Sequence, residues 1–140
     1  MNNMSTSIFK APKWSIQLEE DWELDPNEEC YSFFNPEGYG ALTISSYIKD
    51  TTITSEDIID LVEFSDEEKL HLGKVRFGDF EGLTLVYKNE ENTFWRFWRK
   101  FWLRNDKLLL FVTYNCDDKD KDYAVEDINK MLSSLKVITK

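Results

Sequence analysis

His71 is the chain's one histidine, and Cys30 and Cys116 are its two cysteines. Those residue types can supply a general base and a thiolate nucleophile. Their contexts argue against it. His71 lies in Lys69-Leu-His-Leu-Gly73, at a loop edge, and neither cysteine stands in a nucleophile motif. The cysteines match no metal or redox spacing, which points to free, partly buried thiols in a reducing cytoplasm. The run Asp117-Asp-Lys-Asp-Lys-Asp122 offers oxygen donors for calcium. A calcium loop begun at Asp118 would place Tyr123 where glycine is needed and Asn129 where the bidentate glutamate belongs. A solvated turn, with negative charge favourable to a following helix N-terminus, accounts for the run better. Gly38-Tyr-Gly40 has no third glycine and no following helix, so it is not a phosphate loop. Glu19, Glu20, Asp21, Glu28 and Glu29 read as a solvated acidic face. The expectation is a protein without enzymatic activity, catalytic residues, metal or cofactor.

The segment Thr93 to Arg104 carries the other candidate chemistry, which is recognition. Three of the five tryptophans fall within it, in a chain of formal net charge −10. At the strand period of two, Trp95, Phe97, Arg99, Phe101 and Leu103 make one nearly apolar row. Arg96, Trp98, Lys100, Trp102 and Arg104 alternate cation with indole on the other. The same residues fit a helix with Phe94, Trp95, Trp98, Phe101 and Trp102 on one face, which would suit a membrane surface or a partner groove. Aromatic-rich composition favours the strand. So do a two-residue turn at Asn105-Asp106 and the apolar partner run Lys107 to Tyr114.

The elements that must position this segment follow from periodicity. Trp14–Leu18, Cys30–Phe34 and Ala41–Ile48 read as strands, the last with Leu42, Ile44 and Ile48 on its core side and Thr43, Ser45 and Tyr47 on the other. A helix starts at Thr54-Ser-Glu-Asp57 with capping-box character, and Ile58, Ile59, Leu61 and Val62 form its apolar stripe. Lys74–Phe77 and Leu83–Asn89 read as strands around the turn Gly78–Gly82. A closing helix runs from about Asp122 to Leu135, with Ala124, Ile128, Met131 and Leu135 on one face. Meandering strands with one helix inside and one at the end predict an α+β fold. Its expected form is a central antiparallel sheet of about six to seven strands with helices packed on it. The 140 residues are expected to form one domain, with residues 1–12 a poorly ordered segment.

The order of these elements resembles the PsbP-like or DcrB-like superfamily. The resemblance rests on the opening strand and acidic loop (Trp14 to Trp22), the hairpin Tyr31 to Ile48 and the helix start Ser55 to Asp57. It continues through the Leu109 to Tyr114 strand and the closing Leu132-Ser-Ser-Leu135. The proline usual ahead of the early tryptophan is absent, since Glu20-Asp21 precede Trp22. The resemblance implies an αβα sandwich and a binding protein, because members are mostly non-enzymatic. They include extrinsic photosystem proteins, a Ran-binding release factor, bacterial lipoproteins and chaperones of secreted toxins.

Charge narrows the partners. A strongly acidic chain lacks the basic footprint of a nucleic-acid binder, and no apolar stretch approaches membrane-spanning length. The expected function is a cytoplasmic protein-binding module, such as an immunity or chaperone-like protein for a toxin or secreted effector, with a basic partner favoured by opposite potential. Two alternatives stand beside it: a small-ligand binder and a protein associating with the membrane surface through the Trp/Arg-rich segment. The expected site is a groove of Tyr47, Arg96, Trp98, Lys100 and Trp102. Its opposite is scaffold, in which a helix covers Trp98 and Trp102 and the cations reach past them.

Overall fold

Side chains alternating at a period of two build most of this protein. In the computed structural model, which describes residues 7–26 and 30–138, strands β1 (Ser7–Lys10), β2 (Trp14–Leu18), β3 (Glu23–Leu24), β4 (Tyr31–Phe34) and β5 (Ala41–Ile48) come first. Helices α1 (Ser55–Val62) and α2 (Asp66–His71) follow, then β6 (Gly73–Phe77), β7 (Phe80–Glu91), β8 (Phe94–Asn105) and β9 (Leu108–Asp117). A 3-10 turn at Asp118–Asp120, helix α3 (Val125–Ser133) and β10 (Lys136–Val137) complete the order. The fold is α+β. A seven-stranded antiparallel sheet runs β3-β4-β5-β9-β8-β7-β6, and a three-stranded sheet runs β1-β2-β10.

The large sheet has two different faces, set by register. Tyr31, Phe33, Leu42, Ile44, Leu110, Val112, Phe101, Leu103, Val75 and Phe77 point to the first face. There they meet Trp14, Ile16 and Leu18 of β2 and Ile128, Met131 and Leu132 of α3 in the main core. The second face presents Leu83, Leu85, Trp102, Leu109 and Phe111, over which Ile53, Ile58 and Phe64 close a smaller core. Each helix start is set by side-chain oxygens. Thr54 and Asp57 form a reciprocal capping box on α1, and Ser65 and Glu68 form another on α2.

Three hairpins in succession place β6 to β9, and each turns through two residues whose first has positive φ: Gly78 at 59°, Asn92 at 58° and Asp106 at 52°. Glycine, asparagine and aspartate tolerate that left-handed region best. Gly82 is fixed by a different constraint: a Cβ there would strike the backbone carbonyl of Trp102 on the neighbouring strand.

Several expectations need correction. The β8–β9 turn is Asp106-Lys107, because Asn105 already pairs with Leu108. The loop between β6 and β7 is Gly78-Asp79 alone, since Phe77 pairs with Phe80. Ser7–Lys10 form a strand against β2 where a poorly ordered segment was expected. Helix α2 and the small sheet were not expected, so the first face is covered by strands and a helix together rather than by helices as in a simple αβα sandwich. Leu61 and Ile48 are each 57% exposed: both fall on the expected apolar side but beyond the reach of its core. Glu28 and Glu29 lie outside the described residues.

Candidate functional site

Strand β8 runs nearly the length of the sheet, so one strand crosses both covered and uncovered ground. Its odd residues face the main core. Phe97, Phe101 and Leu103 pack into it, while the Arg99 guanidinium lies 5.0 Å from the Phe101 ring and donates to Asn129 Oδ1 of α3 at 3.0 Å. Burial lowers the pKa of Arg99.

The even residues divide by position. Trp102 is covered: only 6% exposed, it meets Phe64 edge-to-face at 4.8 Å and stacks on Phe111 at 5.5 Å. Arg104, beside it on this face, donates to the Glu81 carboxylate at 2.8 Å and to the Ile53 carbonyl at 3.3 Å. Two positions before Trp102 the cover thins, and α2 borders only the β7 side of these rows, at Leu85 and Tyr87. Trp98 is half-buried and stacks on Tyr87 of β7, its cross-strand partner, with centroids 6.3 Å apart and planes 11° from parallel. Its indole N–H donates to Asn89 Oδ1 at 3.1 Å. The Lys100 ammonium stands 5.1 Å from the Tyr87 centroid and 5.3 Å from that of Trp98, within cation–π range of both rings. Arg96, the next even residue toward the hairpin, donates to Asn115 Oδ1 at 3.1 Å and lies 3.5 Å from both Glu91 and Asp117. Thr43, Thr113 and Asn115 continue this ground across β5 and β9, all half-buried.

The expected site is therefore only partly assembled. Arg96, Trp98 and Lys100 come together, and Trp102 belongs to the covered core. Tyr47 shares their face, as do Thr43 and Ser45, but its row runs through Leu109 and Arg104. That row is six residues from the Trp98 row, or about 20 Å along the strands at ~3.3 Å per residue. Tyr47, 51% exposed, instead borders a small cavity with Ile53, Ile58, Leu61 and Leu109 beside α1. Tyr87 was missed as a site residue. Its signal lay in hairpin register: with Asn92-Thr93 as the turn, residue 87 falls opposite residue 98.

The residues first considered for catalysis are dispersed. His71 is exposed in the last turn of α2, over the second face. Cys116 is buried in the core beneath the first face, where burial raises its thiol pKa and so suppresses thiolate character. Cys30 stands half-buried just before β4. The aspartates at the end of β9 and just beyond it have cations of their own, Arg96 at Asp117 and Lys88 at Asp118. Among the described residues, no three His, Cys, Asp or Glu side chains gather as a metal site, and no helix is long and apolar enough to cross a membrane.

No protein-family model matches the chain, and no curated protein sequence matches it. Its fold recurs among solved structures. A crystal structure from Bacteroides thetaiotaomicron VPI-5482 aligns with a TM-score of 0.78 at 14% identity, covering 98% of this chain and 50% of that one. The chain thus spans half the length of that protein. The crystal structure of LpqN, involved in cell envelope biogenesis of Mycobacterium tuberculosis, aligns with a TM-score of 0.64 at 13% identity, covering 99% and 93%. At such identities the likeness is one of fold.

Proposed function

We propose that this chain is a non-enzymatic binding module that holds a protein partner on the uncovered part of its second sheet face. The observation carrying this reading is the stack of Tyr87, Trp98 and Lys100, half-buried at the margin of the ground that α1 and α2 cover, with Tyr87 bordering α2. Rigid aromatic side chains such as Tyr87 and Trp98 are enriched among the residues that dominate binding energy at protein interfaces. The helical cover reaches this row only at Tyr87, which leaves the outer faces of Trp98 and Lys100 open to a partner.

Net charge gives the partner its chemistry. Arg96 is neutralised locally by Glu91 and Asp117, so the field reaching solution is set by the formal charge of −10. A basic protein is drawn to such a surface at long range. A cytoplasmic immunity protein or chaperone for a toxin or secreted effector fits that description. The resemblance to the PsbP-like superfamily, whose members are mostly binding proteins, supports the same reading. LpqN's involvement in envelope biogenesis belongs to LpqN.

Affinity capture from the native cell, comparing the wild-type chain with a Tyr87→Ala/Trp98→Ala double variant, tests the proposal. A single protein recovered in stoichiometric amount by the first and lost by the second is the expected result. A partner that binds the folded double variant as well as the wild type overturns it.

A further inference from the structure

Strand β7 is longer than the strand that borders it. β6 pairs with it only from Phe80 to Thr84, whereas β8 pairs with it as far as Glu91. Beyond Thr84, β7 is therefore an edge of the large sheet. Which of its groups face outward follows from register. The hairpin pair Glu91–Phe94 flanks a two-residue turn, so Glu91 exchanges hydrogen bonds with β8. The odd residues of β7 then point their main-chain groups at β8, and the even ones point away. In agreement, Phe80 and Thr84 face β6. Val86, Lys88 and Glu90 direct N–H and C=O groups outward with no strand beside them among the described residues.

We infer that this edge accepts an extended, basic segment of the partner protein as an eighth strand of the sheet, collinear with β6. The inference rests on the binding-module reading above and specifies how the partner is held. Main-chain pairing alone would accept any chain; the surroundings choose the sign. At one end of the edge, α2 and β7 form a groove of ≈ 280 Å³ lined by Ser65, Glu67, Glu68, His71, Leu85, Val86 and Tyr87. Asp66, Glu67 and Glu68 all lie in the first turn of α2. At the other end stands Glu90, while its neighbour Glu91 is already engaged by Arg96. An added strand would thus pass between two acidic groups, with Tyr87 between them on the second face, and cationic side chains suit its ends. A second copy of this chain is the less suited occupant, because each copy carries −10. Lys88 guards the edge as exposed edge strands commonly require, but it is engaged on the first face, 3.6 Å from Asp118 and 5.2 Å from the Trp95 ring.

Three synthetic nonapeptides test this: one alternating lysine with threonine, one alternating glutamate with threonine, and a lysine–threonine peptide N-methylated at every residue, so that neither of its edges can pair. Amide hydrogen exchange at Val86, Lys88 and Glu90 is read by NMR at millimolar peptide. The first peptide should slow exchange at those three amides about tenfold or more, as formation of one added hydrogen bond at each implies. The acidic and methylated peptides should leave it unchanged. Lys88→Pro removes an outward N–H, which an edge position tolerates, and should abolish protection, whereas Lys88→Ala keeps it. If Lys88→Pro does not fold, the methylated peptide makes the same distinction. Unchanged exchange with the basic peptide, equal protection by the methylated one, or sedimentation showing a dimer with these amides already protected would each overturn the inference. Loss of capture by the Tyr87→Ala/Trp98→Ala variant together with unchanged exchange sinks the edge alone. Protection by the peptide with capture intact in that variant sinks the face reading alone.

Discussion

Trp98 and Trp102 lie four residues apart on one strand and one face, so replacing each with alanine separates cover from position. Trp102 is 6% exposed and touches Phe64 at 4.8 Å and Phe111 at 5.5 Å. Burying an indole removes roughly 150–250 Å² from water, which at ~25 cal/mol per Å² is about 4–6 kcal/mol. Core aromatic truncations, in which the site relaxes in part, cost about 3–5 kcal/mol, and Trp102→Ala should fall in that range. Trp98 is half-buried, so the same area bookkeeping assigns it roughly half that burial term, about 2–3 kcal/mol. It also loses the Tyr87 stack and the Lys100 contact, while water replaces its exposed hydrogen bond to Asn89. With the site free to relax at the surface, Trp98→Ala should cost about 2 kcal/mol. Urea unfolding followed by far-UV circular dichroism, which does not depend on the missing indole, compares the two. A gap of at least ~1 kcal/mol at unchanged m-value is expected. Equal shifts in the midpoint would mean that Trp98 is as well covered as Trp102, and the recognition surface would then not exist.

Three other outcomes follow from the structure. Gly82→Ala should be severely destabilising, by about 3 kcal/mol or more, because the new Cβ meets the Trp102 backbone and not a movable side chain; soluble yield and thermal midpoint report it. Thr54→Ala removes the acceptor for the Asp57 N–H and should cost about 1 kcal/mol, seen as faster amide exchange along α1. Burial raises the pKa of Tyr114 above its ordinary value. Its proton is held more tightly in the folded chain, so this stabilisation is complete below the unfolded pKa of about 10 and is lost as pH rises beyond it. Stability measured from pH 9 upward should fall in the wild type and fall less steeply in Tyr114→Phe.

The sheet was legible in the sequence wherever one face was apolar and the other mixed. β2 and β5 alternate cleanly, and their limits agree with expectation residue for residue. The hairpin turns were legible only approximately, because Asn105, Asp106 and Gly78–Gly82 offer several turn-forming residues and pairing decides among them. α2 was missed for a physical reason: Asp66–His71 is short and none of its residues is buried, so it carries no apolar stripe. Its capping box at Ser65 and Glu68 was the available signal. β10 has two residues and no pattern of its own, so only tertiary pairing reveals it. For the site, the strand assignment placed Trp98 and Lys100 on one face, but period-two reasoning has no view of where a helix lands. That is why Trp102 was grouped with Trp98. Tyr47 was grouped with them because face alone, without register across β9, says nothing of distance along the strands.

The pairing of β2 with β10 also fixes an order of events while the chain is made. Ser15 and Trp14 await Lys136 and Val137, and Gln17 awaits the Ser134 hydroxyl, more than a hundred positions later. Trp14, Ile16 and Leu18 cannot reach their final burial against α3 until that helix has left the ribosome. The local β6-to-β9 hairpins need no such wait, and short sequence separation makes them the quicker part to form. The first face of the sheet is then the last surface to be sealed. Until α3 arrives, this apolar face is a natural client for the cell's general folding machinery. Ribosome-bound chains stalled before residue 125 should bind a holdase chaperone through the Trp14–Leu18 segment, and chains released at full length should not.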